Sequence, residues 1–93
     1  MIEEGEEMRY KTYNRLRQAR LKKGYSIGEL AEISGVNQRM VGKYENGEKD
    51  IDSARLETLV KLSFALECRI SSILNNDTLR KALSNLEGVN KKE

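Results

Sequence analysis

The 93-residue chain has no histidine, no proline, no tryptophan and a single cysteine. Without histidine, the commonest general acid–base side chain is missing. With only Cys68 beside that gap, the usual zinc ligand sets cannot be assembled and no internal disulfide can form. Inventory alone thus excludes a metalloenzyme, a Ser-His-Asp hydrolase and a Cys-His nucleophile. Lys, Glu and Tyr chemistry survives that test, but these residues do not cluster. The expectation is a protein with no metal, no cofactor and no catalysis. Lack of proline means that no residue forces a helix to break. Aromatics are scarce, with four Tyr and one Phe, and the longest apolar run is Phe64-Ala65-Leu66. Such a run is too short for a membrane span or a signal-peptide core, so a cytoplasmic location is expected, with no membrane partner.

What is present suits one small helical domain, with 34% charged and 38% hydrophobic residues. A chain of this size buries only about 60–65% of the surface its unfolded form exposes, so compact packing must supply stability. The net charge of +2 conceals an asymmetry. Glu3, Glu4, Glu6 and Glu7 open the chain with no basic residue among them. Then Arg9, Lys11, Arg15, Arg17, Arg20, Lys22 and Lys23 follow with no acidic one. Such a basic block is either a solvated helix face or an electrostatic footprint for nucleic acid. Glu-Glu-Gly-Glu-Glu before Met8 is also what a purine-rich ribosome-binding site would spell in translation. Residues 1–8 are therefore expected to be a disordered or artefactual leader, with Met8 as the natural start. The domain would occupy 9–75, and a C-terminal helix and tail 76–93.

Glycines punctuate the amphipathic stretches: Gly24, Gly35, Gly47 and Gly88 each stand where a helix can end in a left-handed residue. Ser26 with Glu29 forms a capping box, and Asn37, Asp52 or Ser53, and Asp77 can serve as N-caps. These signals predict helices near 13–23, 27–34, 38–46, 53–66 and 78–87, with a short turn at 70–74. Helix 53–66 carries two apolar stripes, one of them Leu56, Val60 and Phe64, which calls for burial on two sides. The last helix carries the single stripe Leu79, Leu83 and Leu86. That stripe is expected to meet Leu56, Val60 and Phe64, within one chain or across a homodimer.

Ile27–Asn46 holds the strongest pattern. Ala31, Gly35 and Val41 have the spacing of a helix-turn-helix: a small residue at the helix crossing, a glycine in the turn, and a β-branched residue inside the second helix. Leu30, Val36 and Tyr44 stand behind them. In such a unit the N-terminal end of the second helix can enter a major groove; the bland alternative is an ordinary αα-hairpin. Gln38, Arg39 and Lys43 fall on the outer side of that second helix, and Gly42 faces the same way. Arg suits guanine and Gln suits adenine as bidentate partners.

The stretch RLRQARLKKGYSIGELAEISGVNQRMVGKYENG with LETLVKLSFALECRISSIL resembles the phage repressor and Cro-like (XRE) helix-turn-helix family over about residues 14–74. The resemblance implies an all-α, five-helix lambda-repressor-like domain, here with an additional C-terminal helix. It implies binding to double-stranded DNA, usually as dimers on palindromic operators. Gln38 and Arg39 match base-reading positions of the family, and Gly42 lies with them. Arg17, Arg20, Lys43, Asn46 and Lys49 are the candidate phosphate contacts. The family also implies an ion pair between Arg20 and Glu45, and a buried apolar role for Cys68. The chain departs from the pattern at Ile27, where a glutamine usually contacts the DNA backbone, and in the longer, more acidic loop Glu48–Asp52. Tyr25–Ala31 with Gly35-Val36 and Tyr44-Glu45 also resembles the start of MerR-type regulators. That similarity is local, since neither a wing nor heptads follow.

The functional expectation is a transcriptional repressor that occupies an operator, with no separate effector domain. The alternative is the antitoxin of a toxin–antitoxin pair, in which the Leu79/Leu83/Leu86 stripe would grip a toxin.

Overall fold

The computed structural model describes residues 14–92, and the side chains of residues 14–87; the expected leader at 1–8 lies outside them. Among the described residues there are five α-helices and no strand. They are α1 (Arg15–Lys23), α2 (Ile27–Ser34), α3 (Gln38–Asn46), α4 (Leu56–Leu66) and α5 (Asp77–Lys92). Two short 3-10 turns, Ile51–Ser53 and Ile70–Ser72, precede α4 and α5. No helix among the described residues is long and apolar enough to cross a membrane.

The helix ends follow from local chemistry. Asn14 caps α1 by accepting the Arg17 N–H at 3.0 Å. Ser26 and Glu29 close their capping box on α2 through bonds of 3.0 and 2.8 Å. Asn37 caps α3 by accepting from Arg39 and Met40. Gly24, Gly35 and Gly47 take left-handed conformations and turn the chain out of α1, α2 and α3. Gly88 does not: α5 runs through it to Lys92. A helical glycine costs about 1 kcal/mol against alanine, but on its own it does not reverse the chain. Glu67 ends α4 instead, at φ 54°. A left-handed side-chain-bearing residue costs roughly 1–2 kcal/mol. Here the Cys68 N–H bonds back to Ser63 O at 3.0 Å, and the Glu67 carboxylate meets Lys23 Nζ at 2.7 Å.

Two expected caps are corrected. α4 begins at Leu56, preceded by Arg55 with no side-chain cap, so neither Asp52 nor Ser53 starts it. Asp50 caps the first 3-10 turn through the Asp52 N–H, and Asp52 Oδ1 accepts the distant Asn75 N–H at 2.8 Å. Asn76 rather than Asp77 accepts the Leu79 N–H at the start of α5.

The core gathers Leu16 from α1, Leu30 from α2, Val41 and Tyr44 from α3, Leu59, Leu62, Ala65 and Leu66 from α4, and Ile51, Ile73 and Leu74 from the connections. Of the two α4 stripes, only the one through Leu59, Leu62 and Leu66 is covered. Leu56, Val60 and Phe64 stay exposed, Phe64 at 82%. α5 docks on the second 3-10 turn rather than along the open face of α4, so the two stripes do not pair within the chain. Its Leu83 is half-buried against the core, whereas Leu79 and Leu86 remain open.

Candidate nucleic-acid interface

α2 and α3 form the helix-turn-helix, and its turn is over-determined. The Gly35 N–H returns to Ala31 O at 2.9 Å, and the Val36 N–H bonds Ser34 Oγ at 3.1 Å. Leu30 and Val41 are fully buried where the helices meet, so the crossing cannot slide without opening the core. Asn37 spends its side chain on the cap. The two residues after it, Gln38 and Arg39, are thereby held at the first turn of α3 and exposed.

Gln38, Arg39 and Gly42 share a shallow concavity with Ile27 and Asn37, at the joint N-terminal ends of α2 and α3. A Cβ added at Gly42 would meet nothing within 4 Å, so the fold itself does not require glycine there. Ile27 is half-buried against the core. Lys43 is half-exposed; Arg17, Asn46 and Lys49 are exposed. Asn46 Oδ1 also accepts the Glu48 N–H at 2.9 Å, shaping the loop that carries Lys49.

Arg20 lies elsewhere in chemical terms. It is 7% exposed, and Glu45 is 5% exposed. Arg20 Nε donates to Glu45 Oε2 at 2.6 Å and Nη2 to Oε1 at 3.0 Å, while Nη1 donates to Tyr25 O at 2.7 Å. With one N–H on each of its three nitrogens engaged and only 7% exposure, Arg20 serves first as a scaffold residue, and the more exposed phosphate candidates are Arg17, Lys43, Asn46 and Lys49. Arg20 joins α1, α3 and the Tyr25 carbonyl into one unit. A second tie was not read from the sequence: Asn14 Nδ2 donates to Tyr44 O at 3.2 Å, at the C-terminal end of α3. Asn75 Oδ1 accepts the Arg15 N–H at 3.3 Å. Asparagines beside helix ends were the available signal, but their long-range partners have no sequence signature.

Other titratable groups behave structurally. Burial, and then the charge of Glu87, push the Cys68 thiol up, which keeps it protonated and apolar beside the core. The hydrogen bond between Lys23 and Glu67 raises the lysine and lowers the carboxyl, at an exposed corner between α1 and the end of α4.

Searches of curated proteins and of solved structures each returned no significant match. A family model described as helix-turn-helix matches residues 16–73, well over half of the chain, from the second residue of α1 through α4 and the second 3-10 turn. With its glycine-turned α2–α3 pair and exposed first turn of α3, the chain belongs to the XRE (repressor/Cro-like) helix-turn-helix family of DNA-binding domains.

Proposed function

We propose that the protein is a sequence-specific, non-catalytic transcriptional repressor that binds a palindromic operator as a homodimer in the cytoplasm. The observation that carries this reading is the first turn of α3. Gln38 and Arg39 stand exposed on a helix that Asn37, Leu30, Val41 and the Arg20–Glu45 pair hold rigid. Base edges are read by side chains whose backbone cannot drift. Selection from a random duplex pool tests it: an inverted repeat should be enriched. A pool with no enriched motif would remove sequence-specific binding.

Two substitutions separate the contact types. Arg39→Ala is expected to cost roughly 1–3 kcal/mol and to relax preference at one position per half-site. Lys43→Ala should weaken all duplexes alike, because a phosphate contact carries no sequence information. Binding measured on a panel of single-base operator variants gives the answer. An unchanged ranking with Arg39→Ala would defeat base reading by that residue.

The dimer rests on the uncovered leucines. Leu56, Val60 and Phe64 form one open face of α4, and Leu79 and Leu86 remain open on α5. Ile33, half-exposed, extends the α4 patch toward Phe64 around a concavity shared with Tyr25 and Cys68. A two-fold seam of α5 from one protomer on α4 of the other would cover both stripes. It would also suit two recognition helices about 34 Å apart, one turn of duplex. Sedimentation at tens of micromolar should give a dimer, and Phe64→Glu or Leu86→Glu should give a monomer. A wild-type monomer would overturn the seam and leave the same leucines to a protein partner, such as the toxin of a toxin–antitoxin pair.

A further inference from the structure

The second 3-10 turn and residues 80–85 of α5 border an open concavity of about 390 Å³ that shares no residue with the surface at the start of α3. Arg69, Ser71 and Ser72 line it from the turn and its cap; Arg80, Lys81, Ser84 and Asn85 line it from α5. Three cations, three hydroxyls and a carboxamide make this lining rich in hydrogen-bond donors, with two carboxylates at its edge, Glu87 beside Ser71 and Asp77 beside Arg80. Ser71 is already engaged, its hydroxyl donating to Glu87 Oε1 at 2.8 Å. Arg80 is only loosely paired. Its Nε is buried with no hydrogen-bond partner among the described residues. Its Nη1 stands 3.5 Å from Asp77 Oδ1, beyond the range of a strong hydrogen bond. The Arg80 side chain is 30% exposed, so its terminal N–H groups rather than the covered Nε are what the concavity offers a ligand.

We propose that this concavity binds a compact phosphate-type anion, either free phosphate or the phosphate group of a small phosphate ester. Oxyanions take paired, charge-assisted hydrogen bonds from guanidinium groups, with lysine adding charge and serines adding shorter O–H donors. The volume lies at the low end of small-molecule sites, roughly 300–1,000 Å³, so a phosphate and part of its carrier have room. The location gives the ligand an effect. Arg69 and Ser72 belong to the body of the domain, Arg80, Lys81 and Ser84 to α5, and the docking of α5 runs mainly through this turn. An anion held between them favours docked α5, by the differential affinity that any ligand needs to shift an equilibrium.

The test is titration of the full-length protein with sodium phosphate and with adenosine 5′-monophosphate at constant ionic strength, read by calorimetry and thermal melting. Saturable binding with Kd in the millimolar range or tighter is expected, together with a raised Tm. Arg69→Gln and Lys81→Gln, at exposed positions that leave the core intact, should each weaken binding at least about tenfold. Tighter binding of inorganic phosphate assigns the site to the free ion, and tighter binding of the monophosphate assigns it to an ester; either supports the proposal. It is overturned by absence of saturable binding, by a response that chloride reproduces, or by binding that both variants leave unchanged. Duplex affinity should be the same for Lys81→Gln and wild type. A loss there would make the concavity part of the DNA surface and overturn the small-anion reading without touching the operator proposal.

Discussion

Glu45→Gln is expected to destabilise the fold by about 3–5 kcal/mol, the cost of removing one partner from a buried ion pair. A domain of this kind has only roughly 5–15 kcal/mol in total, so the variant would stand near the edge of folding. The reason is the inner face of α1. Its fully buried positions are Leu16 and Arg20, one turn apart, with only Ala19 packing partly beside them, so a guanidinium is a large share of what this helix offers the core. Glu45 supplies both acceptors for Nε and Nη2, at 2.6 and 3.0 Å; a neutral amide could accept at only one oxygen and would present a donor to the other. Urea denaturation measures the loss, and operator affinity should fall with it because α3 loses its tie to α1. Replacing both partners by apolar residues, Arg20→Met with Glu45→Leu, is expected to cost less than Glu45→Gln alone. A Glu45→Gln denaturation curve superimposed on wild type would show that the pair carries no stability.

The affinity for duplex DNA is expected to fall steeply with salt. Arg17, Lys43 and Lys49 are the cations left once Arg20 is assigned to the scaffold, three per protomer and six per dimer. With about 0.9 counterions released per phosphate, the log–log slope should be about −5, or roughly a thousandfold loss between about 50 and 200 mM salt. A monomer on the same contacts would give about half that slope. Lys49→Gln should reduce the magnitude by about two in a dimer, one for each protomer. Binding that ignores salt across this range would contradict a phosphate-anchored interface. A slope unchanged by Lys49→Gln would remove the α3–α4 loop from it, which matters because Asp50 and Asp52 share that loop.

Much of the architecture was legible because it is written locally. Helix starts at Ser26 and Asn37 and ends at Gly24, Gly35 and Gly47 are settled within four residues of each boundary, by groups the backbone itself leaves unpaired. The helix-turn-helix spacing of Ala31, Gly35 and Val41 is local in the same sense. Signals that failed were those with two admissible outcomes. Gly88 can end a helix or be passed through, and Asp52 can cap a helix or reach a distant backbone. It does the latter, because Asn75 is brought to it from 23 residues away.

The candidate site divides along the same line. Helical periodicity assigns faces without knowledge of neighbours, which made the helices of the described residues, the helix-turn-helix at 27–46 and the outward placing of Gln38 and Arg39 readable from local pattern. What each charge and each apolar stripe does depends on the packing around it. Arg17 and Arg20 are both arginines of one basic helix, yet one is exposed and the other buried with three hydrogen bonds. Leu62 and Phe64 are two residues apart on α4, yet one is sealed in the core and the other is 82% exposed. A side chain's surroundings come from residues distant in sequence. Glu45 meets Arg20 across 25 positions, and the turn at Ile70–Ser72, not the face of α4, receives α5.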